Sequence, residues 1–336
     1  MLIAAESLDD LLGAVFKKVL KKGERLSPSR GATREMIGVM LQLNKPRARL
    51  SRTDKKSTVF SCLGELLWYL ANTDSLAFMT YYIDEYGKYS DDGVTVHGAY
   101  GPRLFGRDTG INQIENIISL LKKKPHSRRA AVQIFEARDN TTEYKDIPCT
   151  CTLHFTIRND KLNLLTFMRS NDAFLGLPHD VFAFTMLQEL VARSLGVRLG
   201  VYRHAVGSLH VYEKNVKDVK TYLKEGWQSR VAMPHMPEGD PWPAVKTLLY
   251  AEREIRDGQE PTSDRISGLD PYWMDLVRLL QIFRRFKEKD QAGMNQIASQ
   301  MVSHTYAASI AKKSKASPKP SKAPPPPQLS LDFARR

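Results

Sequence analysis

The 336-residue sequence contains only three cysteines and no long uncharged apolar run. Three thiols, at Cys62, Cys149 and Cys151, cannot form a disulfide framework, and their scarcity is typical of a reducing compartment. A membrane-spanning helix needs about 18 or more consecutive apolar residues, and no segment provides them. The first turns of the chain carry three acidic residues where a signal peptide has a basic start and an apolar middle. We therefore expect a cytoplasmic protein with no membrane partner.

Composition is otherwise that of a globular protein, with 42% apolar and 26% charged residues. The net charge is +13, and about half of it lies between Ala311 and Arg336, where five Lys and two Arg face one Asp. Because the rest of the chain is only moderately basic, its charge suits an anionic small substrate as well as a nucleic acid. Nucleic-acid binding by the tail is the alternative that charge alone offers.

Hydrophobic periodicity predicts mixed helices and strands up to about residue 235. Helices are predicted over 1–22, 58–71 and 110–124 and from Pro178 to Gly196, and strands over 36–43, 130–135, 151–157, 162–168 and 203–212. The four residues from Arg158 to Lys161 predict a hairpin between the third and fourth of these strands. The pattern as a whole predicts an α/β fold.

The chain after residue 235 divides into three further segments. A helical pattern over 243–256, 271–287 and 290–311 predicts a helical extension, residues 236–311. Residues 312–327 are rich in Pro and Lys and lack the apolar residues that build a core, so we predict a disordered linker. Residues 328–336 then form a short terminal peptide, and residues 1–235 form the main domain.

Two residues stand out against their surroundings. Cys149 follows a proline in DIPCTCTLHF, at the start of a predicted strand. A small buried hydrophobe is the commonest role of such a cysteine, and zinc binding with Cys151 is disfavoured because no second Cys or His pair follows. A catalytic nucleophile is the third interpretation. Glu65 is the only charge inside the apolar segment TVFSCLGELLWYLA, and a buried charge needs a partner or a function.

Polar residues also collect at the ends of the predicted strands. Arg128 and Arg129 precede one strand, and His210 and Tyr212 lie two apart, on one face of the last strand. A third group, Arg169, Ser170, Asp172 and Asp180, follows the strand LNLLTFM and leads into a helix. Each group alone has an ordinary explanation, since arginine pairs are usually solvated and an aspartate before a helix is usually an N-cap.

In this order the motifs resemble the thymidylate synthase family. The resemblance extends from about Leu26 to about Leu223 and rests on SRGAT, GELLWYL, GAYG, SRR, IPC, RSNDAFLGLP and GSLHVY. It implies a mixed twisted sheet covered by helices, with residues 1–235 as the catalytic domain. It also implies a homodimer that forms through the sheet and shares its active sites.

The resemblance implies a reaction as well as a fold. The family joins a one-carbon unit from 5,10-methylenetetrahydrofolate, its co-substrate, to C5 of a pyrimidine nucleoside monophosphate, and no metal is implied. Cys149 matches the thiolate that adds at C6. Because a thiol with a pKa near 8.5 is mostly protonated, we expect the neighbouring cation Arg169 to lower that pKa. Glu65 and Tyr100 match residues that move protons at the base, and burial suits a carboxyl group to that task.

The remaining motif residues match ligand-binding positions of the family. The predicted phosphate ligands are Arg30, Arg128, Arg129, Arg169 and Ser170, because guanidinium groups suit a phosphate dianion. The resemblance assigns Arg128 and Arg129 to the partner subunit's site, and the loop alignment leaves Arg34 as an alternative to Arg30. His210 and Tyr212 match the residues that hold the sugar 3′-hydroxyl, and Asp172 matches the carboxylate that binds the pterin ring.

The clearest departure from the family pattern is LGLPHD, where thymidylate synthases usually read LGLPFN. An Asn amide complements the N3–H and O4 of uracil. A carboxylate accepts from the N4 amino group of cytosine, and with a proton held at N3 or on the carboxyl group it also bonds to N3. Against uracil, an ionised Asp180 faces O4 acceptor to acceptor, which costs about 1–3 kcal/mol. The pattern is that of deoxycytidylate hydroxymethylase, so we predict a cytosine nucleotide, CMP or dCMP. The alternative is that Asp180 is only an N-cap.

Two further departures concern the base and the product. Thr150 follows the cysteine where the family usually has His, which alters the polar network at position 4 of the base, again away from uracil. The C-terminal segment that closes over the folate is not recognisable, so either the helices after residue 240 replace it or the site is less closed. A less closed site lets water capture the exocyclic methylene, whereas a sealed site favours hydride transfer and a methyl product. The alternatives are a thymidylate synthase that methylates dUMP and a non-catalytic nucleotide-binding protein.

The terminal peptide carries one more motif. QLSLDF, from Gln328 to Phe333, resembles the short peptide by which bacterial proteins dock on the replication sliding clamp. A Pro-rich spacer in front of it suits a peptide that must reach a groove. A solvated basic tail is the alternative.

Overall fold

A computed structural model of the chain describes residues 1–28, 30–51, 53, 58–226 and 230–316. Its described strands form one seven-stranded mixed sheet in the order β1-β3-β7-β6-β5-β4, with β2 paired to β3. The strands are β1 (Leu2–Ala5), β2 (Glu24–Leu26), β3 (Thr33–Leu43), β4 (Ala131–Gln133), β5 (Thr150–Arg158), β6 (Lys161–Asp172) and β7 (Arg198–Tyr212). The mixed sheet predicted from the sequence is thereby confirmed.

The predicted hairpin joins β5 and β6, and Arg158 pairs with Lys161 across the turn. Its two central residues, Asn159 and Asp160, have positive φ angles of 51° and 55°. This conformation suits Asn and Asp and matches the twist of the flanking strands. β7 then runs parallel to β6 and antiparallel to β3, so the ends of β6 and β7 lie side by side.

Helices pack on this sheet and on one another. They are α1 (Leu8–Lys22), α2 (Val59–Leu70), α3 (Leu76–Tyr82), α4 (Tyr100–Phe105), α5 (Gln113–Lys123), α6 (Leu177–Ser194), α7 (Val216–Lys224), α8 (Trp242–Arg256), α9 (Ser263–Ile266), α10 (Pro271–Lys287), α11 (Gln291–Ser299) and α12 (Ala307–Lys315). α2 and α6 are buried on nearly all sides, as their apolar sequences predict. Among the described residues, no helix is both long and apolar enough to cross a membrane.

Three predicted boundaries are wrong for local reasons. The helix predicted over 1–22 begins only at Leu8, because Ser7 caps it and the preceding residues pair with β3. The helix predicted over 290–311 is two helices, because the Asp275 carboxylate binds the backbone N–H groups of Val302 and Ser303 between them. Residues 312–315, predicted as the start of the linker, instead belong to α12, which ends at Lys315.

The helical extension shares one hydrophobic core with the rest of the chain. Phe283 of α10 stacks on Phe60 of α2 at 5.9 Å between ring centroids and on Tyr82 of α3 at 5.3 Å. The Tyr82 hydroxyl donates a 2.9 Å hydrogen bond to buried Glu252 of α8. The extension therefore supports α2, the helix that carries Glu65, from behind. The terminal peptide Gln328 to Phe333 lies outside the described residues.

On the face of the sheet away from the hydrophobic core, apolar side chains of the described chain are exposed to solvent. Ile37 on β3 and Phe167 on β6 are 71% and 43% exposed. Leu165 and Val201 lie on the same face and are only partly buried. This row of apolar side chains is called the outer sheet face below.

Candidate active site

The pairing of β5 with β6 places Cys149 beside Arg169. The Arg169 backbone N–H donates to the Cys149 carbonyl at 2.9 Å, and its guanidinium NH2 lies 3.8 Å from Sγ. The same guanidinium donates to the carbonyls of Ile147 and Pro148, both at 3.0 Å. The IPC segment thus holds the cation next to the thiol, as the sequence predicts.

The ionisation of Cys149 differs from the prediction. Burial raises the pKa of the Cys149 thiol to about 11, and Arg169 offsets only part of this effect. The nearby carboxyl groups of Asp146 and Asp180 raise this pKa further. Arg169 lowers the thiol pKa, as expected, but desolvation outweighs this one cation and keeps the pKa above its ordinary value.

A second cluster lies on the helix side of the pocket. The Tyr69 hydroxyl donates a 2.5 Å hydrogen bond to Oε1 of Glu65, one turn earlier on α2. The ring of Tyr69 packs on that of Tyr100, with 5.0 Å between centroids. The Tyr100 hydroxyl in turn accepts from the backbone N–H and the hydroxyl of Thr150, at 3.2 and 3.1 Å. Tyr100 thereby contacts the residue that follows the cysteine, and Glu65 is linked to it through Tyr69.

Asp180 lies inside α6 and is only 6% exposed. The N-cap of α6 is Gly176, and no side chain caps the helix, so the interpretation of Asp180 as an N-cap is wrong. Its Oδ2 accepts a 2.7 Å hydrogen bond from Nδ2 of Asn171. Burial, and then the charge of Glu65, raise the pKa of Asp180 to about 8, against the lowering effect of the Asn171 hydrogen bond.

A buried polar chain behind Asp180 was not predicted. The Tyr202 hydroxyl lies 2.6 Å from Nδ1 of His204, and Nε2 of His204 lies 3.2 Å from Oδ1 of Asn171. All three residues are buried. Asn171 stands inside the motif RSNDAFLGLP, but the alternation that places His204 on the inner face of β7 is the only signal for His204.

The residues that are predicted to bind the sugar and the pterin ring lie side by side where β6 and β7 end. Asp172 pairs with His210 across the two strands, and the rings of His210 and Tyr212 lie 5.2 Å apart at 89°. Nδ1 of His210 is buried and has no hydrogen-bond partner among the described residues. Ser170 lies on the same strand as Asp172 and is paired with Ser208. The described contacts do not link Ser170 to Cys149.

The family model described as thymidylate synthase matches residues 10–239. The chain belongs to the thymidylate synthase family. It is 32% identical over 214 residues to the deoxyuridylate hydroxymethyltransferase of Delftia phage PhiW-14, covering 59% of each chain. It is also 32% identical over 211 residues to the protein of the same name from Bacillus phage SP01, covering 59% of this chain and 55% of the relative. The chain thus spans less than three-fifths of the length of these relatives.

Arg34 lies on β3, whereas the other candidate phosphate arginine, Arg30, precedes that strand and is close to Cys149. The guanidinium of Arg30 donates a 2.6 Å hydrogen bond to the Lys145 carbonyl, and its charge lowers the pKa of Cys149 and that of Asp146. Arg34 instead pairs with Glu213 at 2.9 Å. An arginine held in an ion pair is less available to a phosphate.

Asp146 is a pocket residue that the thymidylate synthase motifs do not mark. It stands three residues before Cys149, and burial raises its pKa to about 6 although Arg30 and Arg169 oppose this. A Cβ atom at Gly98 would collide with the Asp146 carboxylate, so GAYG needs a glycine at its first position. Asp146 therefore adds a titratable carboxyl group to the arginine end of the pocket.

Arg128 and Arg129 do not join the site within one chain. Both are exposed beside β4, and their described side chains make no contact with Cys149 or Arg169. The Arg128 carbonyl is 3.1 Å from Nε2 of His154 on β5. The edge strand therefore holds this arginine pair at the surface of the chain.

The surroundings of Asp172, the residue predicted to bind the pterin ring, fit the folate co-substrate of the family. Oδ1 of Asp172 accepts from the backbone N–H groups of Phe174 and Leu175, at 2.8 and 3.1 Å. Its Oδ2 has no hydrogen bond to a described residue. Leu175 beside it is 46% exposed and offers an apolar surface to a flat ring. A free carboxylate oxygen next to such a surface is what a ring with N–H donors requires.

Proposed function

We propose that the protein hydroxymethylates C5 of a cytosine nucleoside monophosphate, with 5,10-methylenetetrahydrofolate as co-substrate. One observation carries the proposal: the Cys149 thiol lies 3.8 Å from the guanidinium of Arg169, and it is close enough to the buried carboxyl group of Asp180 for the charge of that group to raise the thiol pKa. A protein that only bound a nucleotide would have no use for that thiol.

In this proposal the Cys149 thiol gives its proton to a water molecule as the sulfur forms the C–S bond at C6, and the electron pair of the C5–C6 double bond moves onto C5. The raised thiol pKa is compatible with this order, because the free protein keeps a neutral sulfur until the pyrimidine is in place. Arg30 and Arg169 hold the phosphate and so fix C6 over the sulfur. Both cations lower the thiol pKa, so they offset part of the effect of burial and make it easier for the thiolate to form.

In this proposal other residues bind the co-substrate and move protons. The co-substrate supplies the one-carbon unit, and Asp172 and Leu175 are the residues that would hold its ring. Glu65, oriented by the Tyr69 hydroxyl, is placed to move protons at the base, with Tyr100 next to it. Water supplies the hydroxyl of the product, so tetrahydrofolate and not dihydrofolate is the second product.

The hydroxymethyl product is supported by the names of the two phage relatives, which are hydroxymethyltransferases. Their names specify deoxyuridylate, and one feature of Asp180 favours dUMP as the second candidate substrate. At pH 7 a carboxyl group with a pKa of about 8 is mostly protonated and offers one donor and one acceptor. In that form it complements uracil as an Asn amide does.

We further propose that the active unit is a homodimer that buries the outer sheet face. Exposed Ile37 and Phe167 lie in a row of partly buried apolar side chains, which is typical of an interface. The exposed pair Arg128 and Arg129 then completes the phosphate site of the partner subunit. Sliding-clamp docking through the terminal peptide stays a prediction.

The proposal is tested with the purified full chain, 5,10-methylenetetrahydrofolate and either CMP, dCMP or dUMP. Mass spectrometry of the nucleotide should show a gain of CH₂O on the cytosine substrate, and Cys149→Ser should abolish it. Thymidylate and dihydrofolate as the main products would overturn the proposal. Binding of the nucleotides without turnover would favour a non-catalytic protein instead.

A further inference from the structure

We propose that helices α1 and α7 together form a surface that binds the phosphate backbone of duplex DNA. Six exposed lysines stand on these helices, and their side chains are called the lysine surface below. They are Lys17, Lys21 and Lys22 on α1 and Lys217, Lys220 and Lys224 on α7. None of them is assigned to the site around Cys149, so the inference goes beyond the proposed function and does not depend on it.

Hydrogen bonds at both ends hold α7 beside α1. At one end Arg34 donates to the Leu20 carbonyl, near the end of α1, and to the Glu213 carboxylate, just before α7, at 3.1 and 2.9 Å. At the other end the hydroxyl of Tyr222, near the end of α7, donates to the carboxylate of Asp9, near the start of α1, at 2.9 Å. The two helices therefore run antiparallel, and the lysines in the last turns of α1 lie beside the first turn of α7.

The lysines on α7 form a row on its exposed side. The helix buries Val216, Val219 and Tyr222, and its three lysines are spaced three and four residues apart on the other side. Seven residues of helix span about 10 Å, and packed helices lie about 8–10 Å apart. The lysine surface is therefore wider than one phosphate group, and it suits a ligand that carries many phosphates.

The charge of the lysine surface is not neutralised by nearby carboxylates. Residues 14–25 and 216–226 contain eight Lys and Arg residues and three acidic residues. Within the part of the chain that the structure describes, the ion pairs near these helices are made by Arg25, Arg34 and Arg230 and by none of the six lysines. The arginines of α10, by contrast, pair with carboxylates. A cluster of cations without such partners attracts polyanions.

The shape and composition of the two helices favour duplex DNA over other polyanions. Within α1 and α7, both described in full, no aromatic ring is exposed to stack on unpaired bases, because Phe16 and Tyr222 are buried. No large apolar side chain of either helix is exposed to insert into a membrane. The major groove of B-DNA admits an α-helix such as α7, whereas that of A-form RNA is narrow. Because lysines contact phosphates and not bases, binding should not depend on sequence.

The proposed dimer leaves the lysine surface exposed. Val15 and Val19 of α1 pack in the core with Val39 of β3, whereas Ile37 of the outer sheet face is exposed. α1 therefore covers the core side of β3, and α7 lies beside α1. A dimer that buries the outer sheet face would keep one lysine surface free on each chain.

The experiment measures binding of the full chain to a short fluorescent DNA duplex by anisotropy, between about 50 and 200 mM salt. The affinity of the wild type should fall steeply with salt. In the triple variant Lys21→Gln, Lys217→Gln, Lys220→Gln, the slope of log affinity against log salt should decrease by about three, and affinity near 100 mM salt should fall about tenfold or more. Equal affinity and slope for the variant and the wild type would overturn the inference.

The matched control removes the same charge elsewhere. Lys122→Gln, Lys123→Gln, Lys246→Gln changes exposed lysines of α5 and α8 and should bind DNA as the wild type does. An equal loss in both triple variants would overturn the inference, because net charge alone would then explain binding. Lys319→Gln with Lys322→Gln tests the basic tail, which lies outside the described residues. Binding lost in this tail variant but kept in the lysine-surface variant would also overturn it.

The same assay separates the possible ligands. Single-stranded DNA, an RNA duplex and vesicles that contain phosphatidylglycerol should each bind more weakly than duplex DNA, and tighter binding of any of them would overturn the inference. Excess dCMP or dUMP should not displace the duplex, because the lysine surface is separate from Arg30 and Arg169. Displacement would place the DNA in the pocket and contradict the assignment. If the triple variant does not fold, Lys217→Gln alone should lower the salt slope by about one.

Discussion

Tyr69 donates a 2.5 Å hydrogen bond to Glu65 one turn earlier on α2, and both side chains are buried. The bond occupies Oε1 of Glu65, so Oε2 is the oxygen that remains for water or for the pyrimidine ring. It also ties Glu65 to the ring of Tyr100, on which Tyr69 packs. The helix thus presents its one acidic side chain in a single orientation.

Tyr69→Phe should therefore lower kcat more than it changes KM. A hydrogen bond to a charged group contributes about 1.5–3 kcal/mol, which corresponds to roughly 10- to 100-fold in kcat if it acts only in the transition state. Steady-state kinetics with the nucleotide that proves to be the substrate checks this. Glu65→Gln is the matched control and should lose about 100-fold or more. Equal kinetics for Tyr69→Phe and the wild type would show that the bond is only structural.

Alkylation of Cys149 should be slow at neutral pH and should accelerate as the pH rises toward 11. The sign follows from burial, which raises the pKa of this thiol, so the reactive thiolate accumulates only above the ordinary range. Iodoacetamide labelling followed by peptide mass spectrometry measures the rate at each pH. Arg169→Gln should slow the labelling further, because a cation that favours the thiolate is removed. Rapid labelling of Cys149 at pH 7 would contradict the assignment.

Phe283→Ala should destabilise the whole chain and not only its C-terminal helices. The ring is 5% exposed and stacks on both Phe60 and Tyr82, so its removal should cost about 3–5 kcal/mol. Thermal unfolding should show one transition at lower temperature. Val302→Ala, at a site that is 60% exposed, is the control and should change stability by less than about 0.5 kcal/mol. Two separate transitions would indicate an independent extension.

Phe167→Glu should prevent the proposed dimer, because it places a charge in the middle of the outer sheet face. Sedimentation should then give a monomer, and activity should fall with it, since Arg128 and Arg129 of a second chain are missing. Glu substitution at exposed Val94, outside the sheet, is the matched control. An active monomer would show that each site is complete within one chain.

The sequence predicted the sheet and the proximity of Arg169 to Cys149 because both rest on local patterns. The hairpin around Asn159 and Asp160 needs only turn residues between two alternating strands, and the pairing of Arg169 with Cys149 follows from it. The polar chain from Tyr202 to Asp180 could not be predicted in this way. It joins β7, β6 and α6 through side chains that look, in sequence, like ordinary strand residues.

The pKa of the Cys149 thiol shows a second limit of prediction from sequence. A motif can indicate a nearby cation, but the desolvation that raises the pKa of Cys149 depends on all the residues that pack around it. The single helix predicted over 290–311 was wrong for a similar reason. Asp275 separates α11 from α12 because its carboxylate binds backbone N–H groups that lie 27 and 28 residues further along the chain.

The stack of Phe283 on Phe60 also has a consequence for truncating the protein. The family match ends at residue 239, well before α10 begins. A chain cut there would retain nearly every residue assigned to the pocket, yet it would turn the back of α2 toward water. Such a fragment should aggregate on expression, so the part of the chain that matches the family should not fold as an independent unit.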